Sequence, residues 1–354
     1  MQTQSKQIDF NGQNFYCGID THKKNWTVTI QTDELVLKTF LQDPEPDILI
    51  KHLRKNYPGG TYLVGYEAGY FGYSIQREFE SKGVSCMVIH PADIPTTQKD
   101  KERKSDPRDS RKIAKSMRNK EAKPIWVPPI SIEEDRQLLR AREKLSTDYT
   151  RIKNRIKASL QINGIKYPEI FSKKGSHWSA RFIKWLNEIQ LNESSATEAM
   201  RSRVRYLTFI RGELLNMTKQ IRLLANHDRY NKVYPKLIQI PGIGVITAMT
   251  ILTETGDIHR FKSPDNYRSF LGLVPRVHGS GDKVHVGKIT KRANTHLRYL
   301  ITEGTWTAIR SDSFYLNLYK DYRKRMKPNI ALIRTARKLA NQIYYCLRNE
   351  TILQ

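Results

Sequence analysis

Apolar residues recur at every second position in the first part of the chain and at every third or fourth position in the rest. Phe15-Tyr16-Cys17-Gly18-Ile19-Asp20 reads as a buried strand ending in an acid. Trp26 to Ile30 and Leu35 to Leu41 alternate as half-buried strands do, and the turn-like gaps between the three runs predict an antiparallel meander. A helix is expected over Asp47 to Asn56, closed by Pro58-Gly59-Gly60. Thr61 to Glu67 predicts a fourth strand, again ending in an acid, and a helix from Phe71 to Lys82 stops at Gly83. Val84 to His90 predicts a fifth strand, halted by Pro91, and a helix follows from Pro107 to about Asn119. In that last helix Asp106 is expected as the cap and Asp109 on the first turn. Three β-runs followed by αβαβα predict a mixed sheet flanked by helices over residues 1–125.

Pro124, Pro128 and Pro129 mark a linker. Beyond it Leu138, Ala141, Leu145, Tyr149, Ile152, Ile156 and Leu160 recur at threes and fours on one face of a long helix. Trp178, Phe182, Trp185 and Leu186 suggest a short amphipathic helix, and Leu207, Ile210, Leu214, Met217, Ile221 and Leu224 form a heptad seam. Residues 126–232 are therefore expected as a helical hairpin or coiled coil, packed within the chain or against a second copy. Arg140, Arg142, Lys144, Arg151, Lys153, Arg155 and Lys157 predict a basic outer stripe suited to a nucleic-acid backbone. A solvated face, partly salt-bridged to Glu134, Glu143 and Asp148, is the alternative.

Residues 233–354 are expected to be mostly helical. Pro241-Gly242-Ile243-Gly244 before the apolar run Val245 to Glu254 looks like a helix-hairpin-helix, with Gly242 and Gly244 opening backbone N–H groups to a phosphate. The alternative is a tight turn with structural glycines. Phe261 to Phe270 predicts a short helix, and Ile330 to Leu347 a last one with Ile333, Ala336, Ala340, Ile343 and Leu347 on its apolar face. Before it, Arg323, Lys324 and Arg325 interleave with Tyr319 and Tyr322, as in binders of RNA or single strands; tyrosines packed inward behind a solvated basic face is the other reading.

Charge sharpens the picture. Sixty-one Lys and Arg against 35 Asp and Glu leave a net +26 over 354 residues, which calls for a polyanionic partner, most often nucleic acid. The three cysteines, Cys17, Cys86 and Cys346, lie far apart, which argues against a zinc finger or a disulfide framework. Met1 to Asp9 lacks the apolar core of a signal peptide and no run approaches a membrane span, so a cytoplasmic protein without membrane association is expected.

Within this basic chain the acids Asp20 and Glu67 end neighbouring strands, and Asp106 and Asp109 open a helix inside the basic run containing Lys104, Arg108 and Arg111. Acids at strand ends can converge on one rim of an α/β sheet. Four carboxylates there are too repulsive to stay ionised unpaired, and Mg²⁺ or Mn²⁺ is the natural neutraliser. Taken alone, a D-x-x-D pair is common on solvated helices, and Asp100 and Glu102 are nearby substitutes for Asp106. His22 and His90 flank the same rim, where a histidine near a phosphate can help position water, and a strand-end hydrogen bond is the simpler role for each.

Gly18-Ile19-Asp20, Tyr66-Glu67-Ala68-Gly69 and Lys104-Ser105-Asp106-x-x-Asp109 resemble the D…E…D-x-x-D signature of a RuvC-like, ribonuclease-H-fold domain. More narrowly they resemble the DEDD transposases of insertion sequences, the family that includes the Piv-type DNA invertases. Gly69 and Ser110 stand where the family often has Thr and Ala. A second resemblance to that family lies in Leu271-Gly272-Leu273-Val274-Pro275-Arg276, Val277 to Lys283, Gly287 to Arg292 and Leu297-Arg298. There the family's serine nucleophile aligns with Ser280, with Ser269 and Thr290 as runners-up. From the residues alone, Gly-Ser-Gly reads as a hairpin turn.

The resemblance implies an α/β plus α architecture and a DNA recombinase or transposase of a mobile element. Asp20, Glu67, Asp106 and Asp109 would hold Mg²⁺ or Mn²⁺, and Ser280 would form a covalent link to DNA. Arg276, Lys283, Lys288, Lys291, Arg292 and Arg298 would contact nucleic acid. It further implies double-stranded donor and target DNA, a structured bridge RNA, and a homodimer or homotetramer with composite sites. A junction-resolving or nicking nuclease using water, and a non-catalytic nucleic-acid scaffold, are the alternatives.

Overall fold

The structure, a computed structural model, describes residues 9–95, 105–172, 177–280, 283–289 and 293–349. Over 276–280, 283–286 and at 288 it gives backbone pairing only. The chain divides into two compact units, residues 1–127 and 128–354.

The first unit is built on a five-stranded sheet of order β3-β2-β1-β4-β5. Strands β1 (Asn14–Thr21), β2 (Trp26–Gln31) and β3 (Val36–Gln42) form the expected meander, while β4 (Thr61–Glu67) runs parallel to β1 and β5 (Ser85–Ile89) parallel to β4. Helices α1 (Pro46–Asn56) and α2 (Ser74–Ser81) make the parallel crossovers. α2 starts later than the Phe71 expected from sequence, because residues 70–73 form turns. Phe15, Cys17 and Ile19 of β1 pack with Leu49, Leu53 and Phe79, which buries one sheet face under α1 and α2. The other face receives α3 (Asp106–Arg118) through Ile113 and Met117.

Two glycines set how closely α3 lies. Gly18 of β1 and Gly65 of β4 are partners in the parallel register. A Cβ at Gly18 would overlap the Ser110 carbonyl and fall 2.5 Å from the Ala114 amide nitrogen. A Cβ at Gly65 would collide with the thioether of Met117. The pair forms a trough in the sheet, and α3 occupies it. Side chains alternate across a strand, so Asp20 and Glu67, each two residues beyond a trough glycine, point to the α3 side. Ser110 completes the seat: buried, its hydroxyl lies 2.8 Å from that of Thr29 on β2, the strand paired to Gly18.

The second unit begins with two long helices, α4 (Ile130–Ile162) and α6 (Ser194–Ala225). Hydrogen bonds from Arg142 to Thr218 (2.9 Å) and from Arg203 to Ser159 (3.0 Å) show that they run antiparallel. Near their turn, Ile152, Ile156, Leu160, Met200, Val204, Leu207 and Ile210 close a core with Phe182 and Leu186 of α5 (Ala180–Glu188). At the other end Leu139, Ile221 and Ala225 join a larger core. That core gathers α7 (Tyr234–Leu237), the buried helix α8 (Val245–Thr255), α9 (Pro264–Phe270), α10 (Thr295–Ser311), α11 (Ser313–Arg323) and α12 (Pro328–Asn349). An antiparallel hairpin, β6 (Pro275–Ser280) with β7 (Lys283–Ile289), lies between α9 and α10 in the chain.

The seam expected on α4 is corrected at its base. Ala141 is exposed, and Leu139 and Arg136 are buried in its place. There α4 faces α8 rather than α6: Arg136 donates to the Thr253 carbonyl (2.9 and 3.1 Å). Arg140 forms a two-pronged ion pair with the buried Glu254 at 2.7 and 3.0 Å. Asn294, the N-cap of α10, donates to the same carboxylate at 2.9 Å. One acid thus fastens α4, α8 and the first turn of α10. Glu254→Ala is expected to cost about 3 kcal/mol in urea unfolding, because the buried Arg136 loses the counter-charge 3.7 Å away while Arg140 regains water.

Among the described residues no helix is long and apolar enough to cross a membrane.

Candidate functional site

The acid rim lies at the carboxyl ends of β1 and β4, where the trough opens toward the start of α3. Asp106 is the first residue of α3, and Ser105 is its N-cap, with extended backbone and no side-chain cap bond. The expected capping role of Asp106 is thereby corrected: with Pro107 as the second helical residue, the chain enters the helix one position earlier. Freed from capping, the Asp106 carboxylate is half exposed and turned to the rim.

Asp20, His22 and Asp106 bring one ligand atom each within 4.8 Å of one another. Nε2 of His22 lies 3.3 Å from Oδ2 of Asp20 and 3.5 Å from Oδ2 of Asp106. Burial pushes the Asp20 carboxyl above the usual range; His22 opposes that push, and the charges of Asp106 and Asp109 add to it. Asp109 therefore acts electrostatically on the rim, although its carboxylate also holds Lys112 at 3.2 Å. Glu67, half-buried, ends β4 on the same face and stands one residue past the Ile19–Tyr66 register pair, level with Asp20. It is outside the close three-atom group. Carboxylates and an imidazole converging in this way are donors that suit a divalent cation.

The two rim histidines differ. His90 accepts the Ala92 amide through Nδ1 at 3.1 Å, the strand-end role expected of it. His22 sits between two acids, so a simple strand-end bond does not describe it. Asp100, Glu102 and Lys104 lie outside the described residues. Arg108 is exposed on α3, and Arg111 donates to Thr39 at 3.3 Å.

In the second unit Ser280 is the last residue of β6 and pairs with Lys283 of β7. Arg276 and Lys288 are placed on the same hairpin by backbone, while Thr290, Lys291 and Arg292 lie outside the described residues. Arg298 is half-buried on α10, beside Gly272. Gly242 and Gly244 separate into two roles. Gly242, at φ +83°, has no room for a side chain, since a Cβ would overlap the Gly304 carbonyl of α10. Gly244 caps α8 without a side-chain bond and faces open space. Its amides are the ones free in principle to meet an anion.

The basic stripe of α4 is thinner than expected. Arg140 is bound to Glu254, Arg142 to Thr218 and Arg151 to Asp148, and Lys153 lies over the rings of Tyr149 and Trp178. Lys144, Arg155 and Lys157 remain exposed. Arg323, Lys324 and Arg325 are also exposed, with Arg323 bonded to the Met326 carbonyl and Lys324 to Asp321. Tyr319 turns inward onto Trp306 and Tyr322 is half-buried, so a continuous aromatic platform is absent among the described residues there.

Comparison with known proteins agrees with this layout. Residues 17–163 match the transposase family model DEDD_Tnp_IS110, and residues 234–320 match the model of the transposase IS116/IS110/IS902 family. Similar proteins include a putative transposase, y4qE, of Sinorhizobium fredii, 30% identical over 68% of this chain and 57% of that protein. The transposase for insertion sequence element IS1533 of Leptospira borgpetersenii is 27% identical over 82% of this chain and 84% of its own length. The transposase for insertion sequence element IS1111A of Coxiella burnetii is 28% identical over 66% of this chain and 62% of its own. The chain thus spans from somewhat over half to most of the length of these relatives. Over both matched stretches the chain resembles the IS116/IS110/IS902 family of transposases.

Proposed function

We propose that the protein cuts and rejoins double-stranded DNA through a metal-dependent acid site of RuvC-like design in its first unit and a serine nucleophile, Ser280, in its second. The observation that carries this reading is the convergence of Asp20 and Asp106 at the mouth of the glycine trough, in a chain of net charge +26. The mixed sheet with a helix seated across its central strands supports a ribonuclease-H-like core for the unit. Asp20, Glu67, Asp106 and Asp109 supply the carboxylates that would hold Mg²⁺ or Mn²⁺. A divalent ion bound there would neutralise the acids and stabilise charge on a phosphate.

Ser280 ends β6 and is flanked in sequence by Gly279 and Gly281, residue types that let a backbone approach DNA closely. Its Oγ attacks phosphorus, an Oγ–P bond forms, and the P–O bond to one sugar breaks. The serine proton leaves to a carboxylate or water, and the departing sugar oxygen is protonated. One phosphoester replaces another, so the bond energy is kept for rejoining and no nucleotide cofactor is consumed. Arg276, Lys283 and Lys288 on the hairpin, with Lys291, Arg292 and Arg298 after it, would bind the phosphates, and the α8 amides beyond Gly244 add a further anion contact.

The exposed Arg323, Lys324 and Arg325, and the Lys104, Arg108 and Arg111 run, fit a second nucleic acid, which we assign to a structured guide RNA. Assembly as a homodimer or homotetramer would bring together donor and target DNA. The chemistry is tested by trapping protein–DNA adducts under denaturing conditions. Wild-type protein is expected to yield an adduct that Ser280→Ala abolishes; cleavage without any adduct would instead indicate hydrolysis by water. Sequencing the nucleic acid that copurifies tests the guide, with a single defined RNA as the expected result.

A further inference from the structure

We propose that His22 is a direct ligand of the divalent ion at Asp20 and Asp106, and that its imidazole biases the site toward Mn²⁺ over Mg²⁺. This rests on the acid-site reading above and extends it to a residue outside the four-acid set.

His22 follows the last residue of β1, two positions after Asp20. Its amide bonds the Asn25 carbonyl at 3.2 Å, which fixes the turn into β2. Strand alternation carries it to the α3 side with Asp20. There its Nε2 lies 3.3 Å from one carboxylate oxygen and 3.5 Å from the other. Both separations exceed the roughly 2.9–3.0 Å at which an N–H···O bond is strongest. They match a different geometry. Ligands about 2.1–2.2 Å from one ion stand about 3.0 Å apart at right angles and about 3.5 Å apart in a tetrahedron. The two histidine separations are thus near the edges of one coordination shell, and the third donor pair lies within 4.8 Å.

The backbone holds each donor from a different direction. Asp20 comes from the end of the central strand, His22 from the hairpin turn and Asp106 from the first residue of a helix locked in the trough. About half of the His22 side chain is exposed, so open positions remain for water or a phosphate oxygen. A nitrogen donor also discriminates between ions. Mg²⁺ is hard, demands oxygen and loses water reluctantly. First-row transition ions accept imidazole readily, and a mixed carboxylate–imidazole set favours them.

The test uses full-length protein without DNA. Mn²⁺ binding is followed by electron paramagnetic resonance and calorimetry, Mg²⁺ binding by competition, and the nitrogen ligand by pulsed resonance, which reads ¹⁴N coupling to Mn²⁺. Wild-type protein should show histidine ¹⁴N coupling that vanishes in His22→Ala. That variant should lose about tenfold or more in Mn²⁺ affinity and less than about threefold in Mg²⁺ affinity. His22→Gln, which offers an amide oxygen in place of the imidazole nitrogen, should keep Mg²⁺ binding near that of wild type but show no nitrogen signal. Absent ¹⁴N coupling, or equal losses for both ions, would overturn the histidine assignment. Asp106→Asn separates the two levels: if it weakens Mn²⁺ binding while His22→Ala does not, the histidine inference alone fails. If Asp106→Asn leaves Mn²⁺ binding intact, the acid-site reading fails with it.

Discussion

Asp106→Asn is expected to lower strand transfer on the order of a thousandfold, which corresponds to about 4 kcal/mol of lost transition-state stabilisation. The loss should occur without unfolding. The side chain is half exposed and caps nothing, and its charge adds to the repulsion felt by Asp20. Removing that charge leaves the metal-free protein as stable as before, or slightly more so. Mg²⁺ or Mn²⁺ should raise the melting temperature of wild-type protein by mass action, about 2.7 kcal/mol at a hundred times the dissociation constant. The variant should lose most of that rise. Thermal scans with and without ion, beside a strand-transfer assay, check both halves. A variant that unfolds early, or one that keeps full activity, contradicts the assignment.

The second large effect is structural. Gly18→Ala is expected to cost about 3 kcal/mol or more, because the added methyl meets α3 backbone rather than a side chain that can turn aside. Gly65→Ala, its partner across the register, is expected to cost only about 1 kcal/mol, since it meets the flexible end of Met117, which can change rotamer. Urea unfolding of the two variants measures the difference. The Gly18 variant should also lose ion binding, because lifting α3 carries Asp106 and Asp109 off the rim, whereas the Gly65 variant should keep it. Similar costs at both positions would show that the trough is not what seats the helix.

Much of the first unit is legible in the sequence because its strands alternate and its turns carry glycine and proline. Strand limits from Phe15 to Ile89 fall within a residue or two of those read from the pattern. The helix start at Asp106 is harder, since Ser105 and Asp106 both make good caps and only the backbone decides between them. The nearness of His22 to Asp106 could not be read from spacing, because 84 positions separate them and only the trough brings them together. In the long helices the pattern holds near their turn and slips at the base. There α4 changes partner from α6 to α8, and a buried arginine takes a place that periodicity reserves for an aliphatic side chain. The Arg140–Glu254 pair has no local signature: an arginine in a basic run looks like a surface charge until its distant acid is known.

The meeting of Gly242 and Gly304 has a mechanical consequence. Where a turn and a helix touch through bare peptide groups, with no methylene between them, there is nothing compressible at the joint. The loop that opens α8 and the middle of α10 must therefore shift as one rigid piece. Strain applied to either end of that piece reaches the other undamped, and α10 is the helix that follows the β6–β7 hairpin in the chain.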